Sequence, residues 1–191
     1  MSKWLERVAI VVASFAIAIG AVVLLSGFFN SRDQGGVTGV LSGPGLLYRD
    51  LGDATLKPGQ RRPRYDSDPP TSGAHVPTPV RSTDSVLDDN QILTALADGD
   101  VILMYGGATP PPGLAALARS ESAGPFSPPL AQAGQAVILA RLPGIDGIEA
   151  VAWTRILPIT GIDRITARDD SILKQFIDSW LGIGSTGTGN N

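Results

Sequence analysis

The stretch ILTALADGDVILMY, residues 92–105, decides the fold because it joins a helix to a buried strand through one glycine. Its first half repeats apolar residues at helical spacing, and Gly99 is typical of the left-handed residue that ends a helix. Val101–Tyr105 follows as a short, uninterrupted apolar run. Such a run is typical of a strand that is covered on both faces.

The helix starts can be predicted from the residues that precede the apolar stripes. Ser85 and Asp88 have the spacing of a capping box, so we predict that Ser85 caps the helix before Gly99. Asp169 or Asp170 is the predicted cap of a C-terminal helix that ends at Gly182. The apolar stripe of that helix consists of Ile172, Leu173, Phe176, Ile177, Trp180 and Leu181.

Three more elements complete the predicted domain. Residues 114–119 form a short helix after a run of prolines, and two apolar runs, 136–142 and 150–156, are typical of strands. Pro143–Gly147 joins these two strands, which predicts an antiparallel hairpin. We therefore predict an α+β domain with a short mixed sheet over residues 46–183.

The N-terminal part predicts a membrane helix. Val8–Phe29 contains no charged residue, and as a helix it would be about 33 Å long, enough to cross a hydrocarbon core of about 30 Å. The alternative is a cleaved signal peptide with Ala16–Ala18 as its small-residue site. The run is longer than the usual apolar region of a signal peptide, which favours an uncleaved anchor.

Flanking charges orient this predicted helix. Lys3 and Arg7 precede it and only Arg32 follows closely, so residues 1–7 are expected in the cytoplasm and the domain outside it. Glycine-rich residues 30–45 are predicted to be a flexible linker, and residues 184–191 a disordered tail. The predicted location is thus the cell membrane, with a single pass, lipid around residues 8–29 and an extracytoplasmic domain.

Composition excludes several classes of function. The 191 residues include no cysteine and one histidine, which excludes thiolate metal sites, cysteine nucleophiles and sites that need several histidines from one chain. The net charge of −3 shows no nucleic-acid footprint, and no glycine-rich phosphate-binding pattern occurs. The sequence therefore predicts no cofactor, no nucleotide site and no nucleic-acid partner.

The segment YDSDPPTSGAHVP, Tyr65–Pro77, is restricted by its prolines and turned by Ser72-Gly73. It resembles the signature of a bacterial family of membrane-anchored proteins, catalogued as domain of unknown function 3105. Ala152-Trp153, Asp163 and Phe176-Ile177 match later parts of that family's pattern. The resemblance covers residues 51–181, and it implies a membrane helix followed by a domain of the kind predicted above.

This chain departs from the family pattern at its reactive positions. Members of the family carry His-Ser-Leu-Glu-His-Gly where this chain has Thr94-Ala95-Leu96-Ala97-Asp98-Gly99, and an earlier histidine corresponds to Thr55. The proline, glycine and apolar positions match, whereas both histidines and the glutamate are replaced. The resemblance therefore implies a retained scaffold with most of the reactive side chains lost.

His75 is the one residue around which chemistry can be predicted. As a base or metal ligand it would act with Asp66, Asp68 or Asp98. The alternative is a histidine that is hydrogen-bonded to a loop carbonyl and locks the turn before it. Asp66, Asp68, Asp98 and Asp100 are also explained as turn and cap residues, because their spacing does not fit a calcium loop.

Three functions remain open from the sequence. The first is a non-catalytic accessory protein that docks on a larger membrane protein complex. Its predicted interaction loop consists of Pro69, Pro70, Thr71, Ser72, Gly73 and His75. The second is a metal-binding or hydrolytic domain centred on His75 with Asp66 or Asp68. The third is a ligand or envelope-polymer binder that stacks its ligand on Tyr65, Tyr105 or Trp153.

Overall fold

A computed structural model describes residues 43–57 and 59–185. The predicted cytoplasmic residues 1–7, the predicted membrane segment 8–29, most of the linker and tail residues 186–191 lie outside this part. Within the part that is described, no helix is both long and apolar enough to cross a membrane.

The described residues form a five-stranded sheet and four helices. In chain order they are β1 (Leu46–Leu47), α1 (Asp89–Asp98), β2 (Val101–Tyr105), α2 (Leu114–Glu121), α3 (Pro128–Gln132), β3 (Val137–Arg141), β4 (Ile148–Ala152), β5 (Arg155–Ile159) and α4 (Ala167–Trp180).

The sheet is mixed, with the strand order β1-β5-β4-β2-β3. β2 pairs in parallel with β3 and antiparallel with β4, so that Leu103 lies between Leu139 on one side and Ala150 on the other. β5 pairs antiparallel with both β4 and the short edge strand β1. The predicted α+β domain with a mixed sheet is confirmed.

Helices cover both faces of the sheet. Alternate strand residues such as Leu103 and Leu139 pack with α2 and α4, whereas Ile102 and Met104 pack with α1 and α3. The apolar run of β2 is continuous because both of its faces lie in a core. Leu173, Phe176, Ile177 and Trp180 of the predicted α4 stripe are buried, and Ile172 and Leu181 are partly buried.

The predicted hairpin between residues 136–142 and 150–156 is wrong. β3 and β4 lie on opposite sides of β2, and their connection crosses the end of that strand. The actual hairpin joins β4 to β5 through Trp153 and Thr154. These two residues lie inside the run 150–156, which was predicted to be one strand. Thr154 takes φ of 60°, a left-handed conformation that a threonine does not signal in the sequence.

The predicted caps are each displaced by three or four residues. Asp88, rather than Ser85, caps α1 and forms a capping box with Gln91. Ser85 instead lies beside β3, where its carbonyl accepts a hydrogen bond from the Arg141 amide at 2.9 Å. Thr166 caps α4, and Asp169, the third residue of the helix, completes the capping box, so hydrogen bonds from Thr166 lower the pKa of Asp169. Gly99 ends α1 with φ of 110°, as predicted.

Candidate functional site

The segment Pro69–Gly73 is fixed to the hairpin of the sheet. The Thr154 amide, in the turn between β4 and β5, donates to the carbonyl of Thr71 at 3.1 Å. The preceding Trp153 is buried, and its indole N–H donates to Asp50 Oδ2 at 3.4 Å. Trp153 and Thr154 therefore connect the hairpin to the proline-rich loop and to the segment around Asp50.

The hydroxyl of Ser72 is used entirely within this scaffold. Ser72 Oγ donates to the carbonyl of Arg49 and accepts from the amide of Leu51, each at 3.0 Å. The residue is buried. A hydroxyl held between two backbone groups ties the loop to residues 49–51.

Gly73 is required by a close approach. It has φ of 130°, and a Cβ at this position would lie 2.8 Å from the ring of Tyr65. The Tyr65 hydroxyl donates to the carbonyl of Ala74 at 3.0 Å, so the ring cannot retreat without breaking that bond. Burial raises the pKa of this hydroxyl, and the Arg62 charge opposes that shift.

Replacing Gly73 tests how strongly the loop depends on this contact. We expect Gly73→Ala to lower the free energy of unfolding by about 2–4 kcal/mol, since it adds both backbone strain and overlap with Tyr65. Gly144 also has positive φ, 103°, but open space around its Cβ position. Gly144→Ala should therefore cost only about 1–2 kcal/mol. Equal losses for the two variants in urea denaturation would show that the Tyr65 contact is unimportant.

His75 is buried at the end of the loop and is hydrogen-bonded to the loop backbone. Its side chain is 4% exposed, and its Nδ1 lies 2.9 Å from the carbonyl oxygen of Gly73. Because a carbonyl only accepts, Nδ1 carries the proton and donates. This is the arrangement of a histidine that locks a turn, which was one of the two alternatives for this residue.

The backbone of His75 pairs with residues 54–56. The His75 amide donates to Ala54 at 3.1 Å, and the Leu56 amide donates to the carbonyl of His75 at 2.8 Å. In this parallel bridge Thr55 is the direct partner of His75. This pairing holds residues 54–56 alongside the end of the proline-rich loop.

The end of α1 reaches the same place. Burial raises the pKa of the Asp98 carboxyl, and the charge of His75 opposes that shift. Thr94 Oγ1 accepts from the amide of Thr78, three residues beyond His75, at 2.9 Å. Thr55 and, from α1, Thr94 therefore both contact the segment that contains and follows His75.

Residues 182–185, the last that the structure describes, lie against the end of α1 and against Asp53. The Gly182 amide donates to the carbonyl of Gly99 at 2.8 Å, and Ser185 Oγ donates to Asp53 Oδ2 at 2.6 Å. A Cβ on Gly184 would lie 2.1 Å from the carbonyl oxygen of Ala97. The contact between Asp53 and Ser185 was not predicted, because the two residues are 132 positions apart in the chain and have no local signal.

The two other predicted metal ligands lie on the exposed side of the loop. Asp66 Oδ2 accepts from the Arg49 amide at 3.0 Å. Asp68 is exposed, and its charge adds to the burial that raises the pKa of Glu149. In residues 43–57 and 59–185, no group of three or more histidine, aspartate or glutamate side chains could hold a metal ion.

All six residues of the predicted interaction loop are buried: Pro69, Pro70, Thr71, Ser72, Gly73 and His75. These six residues therefore lie inside the domain and do not form an exposed surface. Of the predicted stacking residues, Tyr105 and Trp153 are also buried and Tyr65 is partly buried.

These features define a small α+β domain with a proline-rich loop built into its core. The family model for a protein of unknown function, DUF3105, matches residues 58–184, and the chain belongs to this family. The match covers well over half of the chain, including the loop, α1 and α4. No curated protein and no solved structure matches the chain.

Proposed function

We propose that this protein is a non-catalytic accessory protein. It is anchored by residues 8–29 and docks its domain on the extracytoplasmic side of a larger membrane protein complex. The observation that carries the proposal is the site around His75. The resemblance leads us to expect reactive residues at positions 55, 94 and 98, where this chain has Thr55, Thr94 and Asp98. Thr55 and Thr94 contact the segment around His75, and His75 itself is bound to the loop. The loop is fixed to the rest of the domain through Ser72, Gly73 and His75, which supports a role for its shape rather than for chemistry.

The surface that best fits docking is the edge strand β1. Leu46 and Leu47 are 57% and 50% exposed, and β1 follows the predicted linker directly. β1 pairs with β5 along one edge. Among residues 43–57 and 59–185 no strand pairs with the other edge, so it can accept a strand of a partner, and the two leucines add apolar contact area.

Replacing both leucines tests this surface. We expect Leu46→Lys with Leu47→Lys to abolish co-purification of a stoichiometric partner from membranes in mild detergent. Val86 is 59% exposed on another part of the domain, so Val86→Lys is the matched control and should keep the partner. Recovery of wild-type protein as a monodisperse monomer without a partner would overturn the accessory role. Retention of the partner by the double lysine variant would overturn the assignment to β1.

The rival function is a metal site centred on His75, which the electrostatic interaction between His75 and Asp98 favours. Elemental analysis of the purified full chain separates the two. The accessory proposal expects no stoichiometric metal in the wild type and unchanged content in His75→Gln. Stoichiometric metal that is lost in His75→Gln, with the fold intact by circular dichroism, would favour the rival.

A further inference from the structure

A cavity of about 180 Å³ lies between α2 and the edge strand β3. Val137 and Leu139 of β3 form its apolar floor, and Ala115 and Ala118 line it from the α2 side. Phe126 closes another side. The space exists because small residues of α2 face large residues of the strand.

Hydrogen bonds hold two walls of this cavity in place. The Asp84 amide donates to the carbonyl of Leu139 at 2.9 Å, which fixes residues 83–85 along β3. On the other side, Ser122 Oγ donates to Ala118 and accepts from the amide of Val137, both at 2.8 Å. The cavity is therefore formed in advance, as ligand sites usually are.

Two opposite charges line the cavity. Asp84 and Arg119 are both exposed, and neither forms an ion pair with any residue in the described part of the chain. Asp84 also has φ of 59°, a strained conformation of the kind that accumulates at functional sites. The Tyr105 hydroxyl donates to Asp84 Oδ1 at a long 3.5 Å, so most of the carboxylate's acceptor capacity is unused.

We propose that this cavity binds a free α-amino acid with a branched aliphatic or aromatic side chain. Its carboxylate would pair with Arg119 and its ammonium group with Asp84. Its side chain would pack on Val137, Leu139 and Phe126. The cavity is large enough for a leucine or phenylalanine side chain, and its lining carries one charge of each sign, as a small zwitterion needs. This inference does not depend on the accessory role.

Calorimetric titration of the full chain in mild detergent with L-leucine and L-phenylalanine tests the proposal. We expect binding with a millimolar or tighter dissociation constant. Asp84→Asn tolerates the same backbone conformation, and it and Arg119→Gln should each weaken binding about tenfold or more. Ala115→Leu should abolish binding by filling the space. Asp146→Asn and Arg168→Gln, exposed charges that do not line the cavity, should bind as the wild type does.

Thermal unfolding of each variant establishes that it is folded, so loss of binding is separated from loss of structure. N-acetyl-phenylalanine amide, which has neither charge, is the matched probe and should bind at least about tenfold more weakly than L-phenylalanine. The proposal is overturned if neither amino acid binds at about 10 mM, the weak end for ligands of this size. It is also overturned if the blocked probe binds equally, or if Asp84→Asn and Arg119→Gln leave affinity unchanged.

Discussion

Replacing Asp100 with asparagine is expected to remove most of the pH dependence of this domain's stability. Asp100 is 1% exposed at the start of β2, and its Oδ1 accepts from the Ala136 amide at 2.8 Å. Its Oδ2 is buried with no hydrogen-bond partner among the described residues. Burial raises the pKa of Asp100 to about 8, the Ala136 amide opposes this, and the charge of Asp98 adds to it.

The sign of the effect follows from the two protonation states. An unfolded aspartate ionises near pH 3.9, whereas the folded chain keeps Asp100 protonated up to about pH 8. The unfolded state therefore binds fewer protons in this range, and stability falls as pH rises through it. Each pH unit costs at most about 1.4 kcal/mol, or about 4 kcal/mol between pH 5 and pH 8.

Urea denaturation of the full chain in detergent, followed by tryptophan fluorescence at several pH values, measures this slope. Asp100→Asn keeps the acceptor for Ala136 and cannot ionise, so its slope should be much flatter than that of the wild type. The pKa of Glu149 is also raised by burial. Glu149→Gln is therefore the matched control and should flatten the slope less. A slope in Asp100→Asn as steep as that of the wild type would contradict the assignment.

Truncating Trp153 is expected to have the second large effect. Its side chain is buried among residues of α1 and the sheet, and it donates to Asp50. Its neighbour Thr154 binds the loop at Thr71 and also accepts from the amide of Tyr48 at 2.9 Å. Trp153→Ala should cost about 3–5 kcal/mol, a large part of the stability of a domain of this size.

Two comparisons give this prediction its control. Trp153→Phe keeps most of the volume and loses the N–H donor, so it should cost about 1–2 kcal/mol. Val86→Ala, at an exposed site, should change stability by less than about 0.5 kcal/mol. Hydrogen exchange at the amides of Thr71 and Gly73 should quicken in Trp153→Ala at pH and temperature where the variant is folded. Unchanged exchange there would show that the turn does not hold the loop.

Local patterns in the sequence predicted the helices and strands better than they predicted which strands pair with each other. β2 and α4 were found because apolar periodicity reports burial directly. The strand pairing was not found, because a parallel neighbour such as β3 leaves no short-range signal that separates it from an antiparallel one. The cap of α1 illustrates the same limit, since Ser85 and Asp88 both have cap spacing and only the pairing of Ser85 with β3 decides between them.

In the candidate site, too, the local features were predicted and the contacts between distant segments were not. The restricted shape of the loop followed from its prolines and from Gly73, and hydrogen bonding of His75 to a loop carbonyl was one of the two alternatives weighed. The contacts of the loop with Thr55 and Thr154 join segments that are far apart in sequence, so residue types alone did not reveal them. The burial of the whole predicted interaction loop also required the fold.

The account depends most on an anchored domain that lies outside the cytoplasm, and the composition allows a direct test. The chain has no cysteine, so one introduced thiol is the only labelled site. Ser171 is exposed on α4, and Ser2 precedes the apolar run. In intact cells, a membrane-impermeant maleimide should label Ser171→Cys in the membrane fraction and leave Ser2→Cys unlabelled until the cells are lysed. Protection of Ser171→Cys together with labelling of Ser2→Cys, or recovery of the chain without its N-terminal segment, would contradict the account.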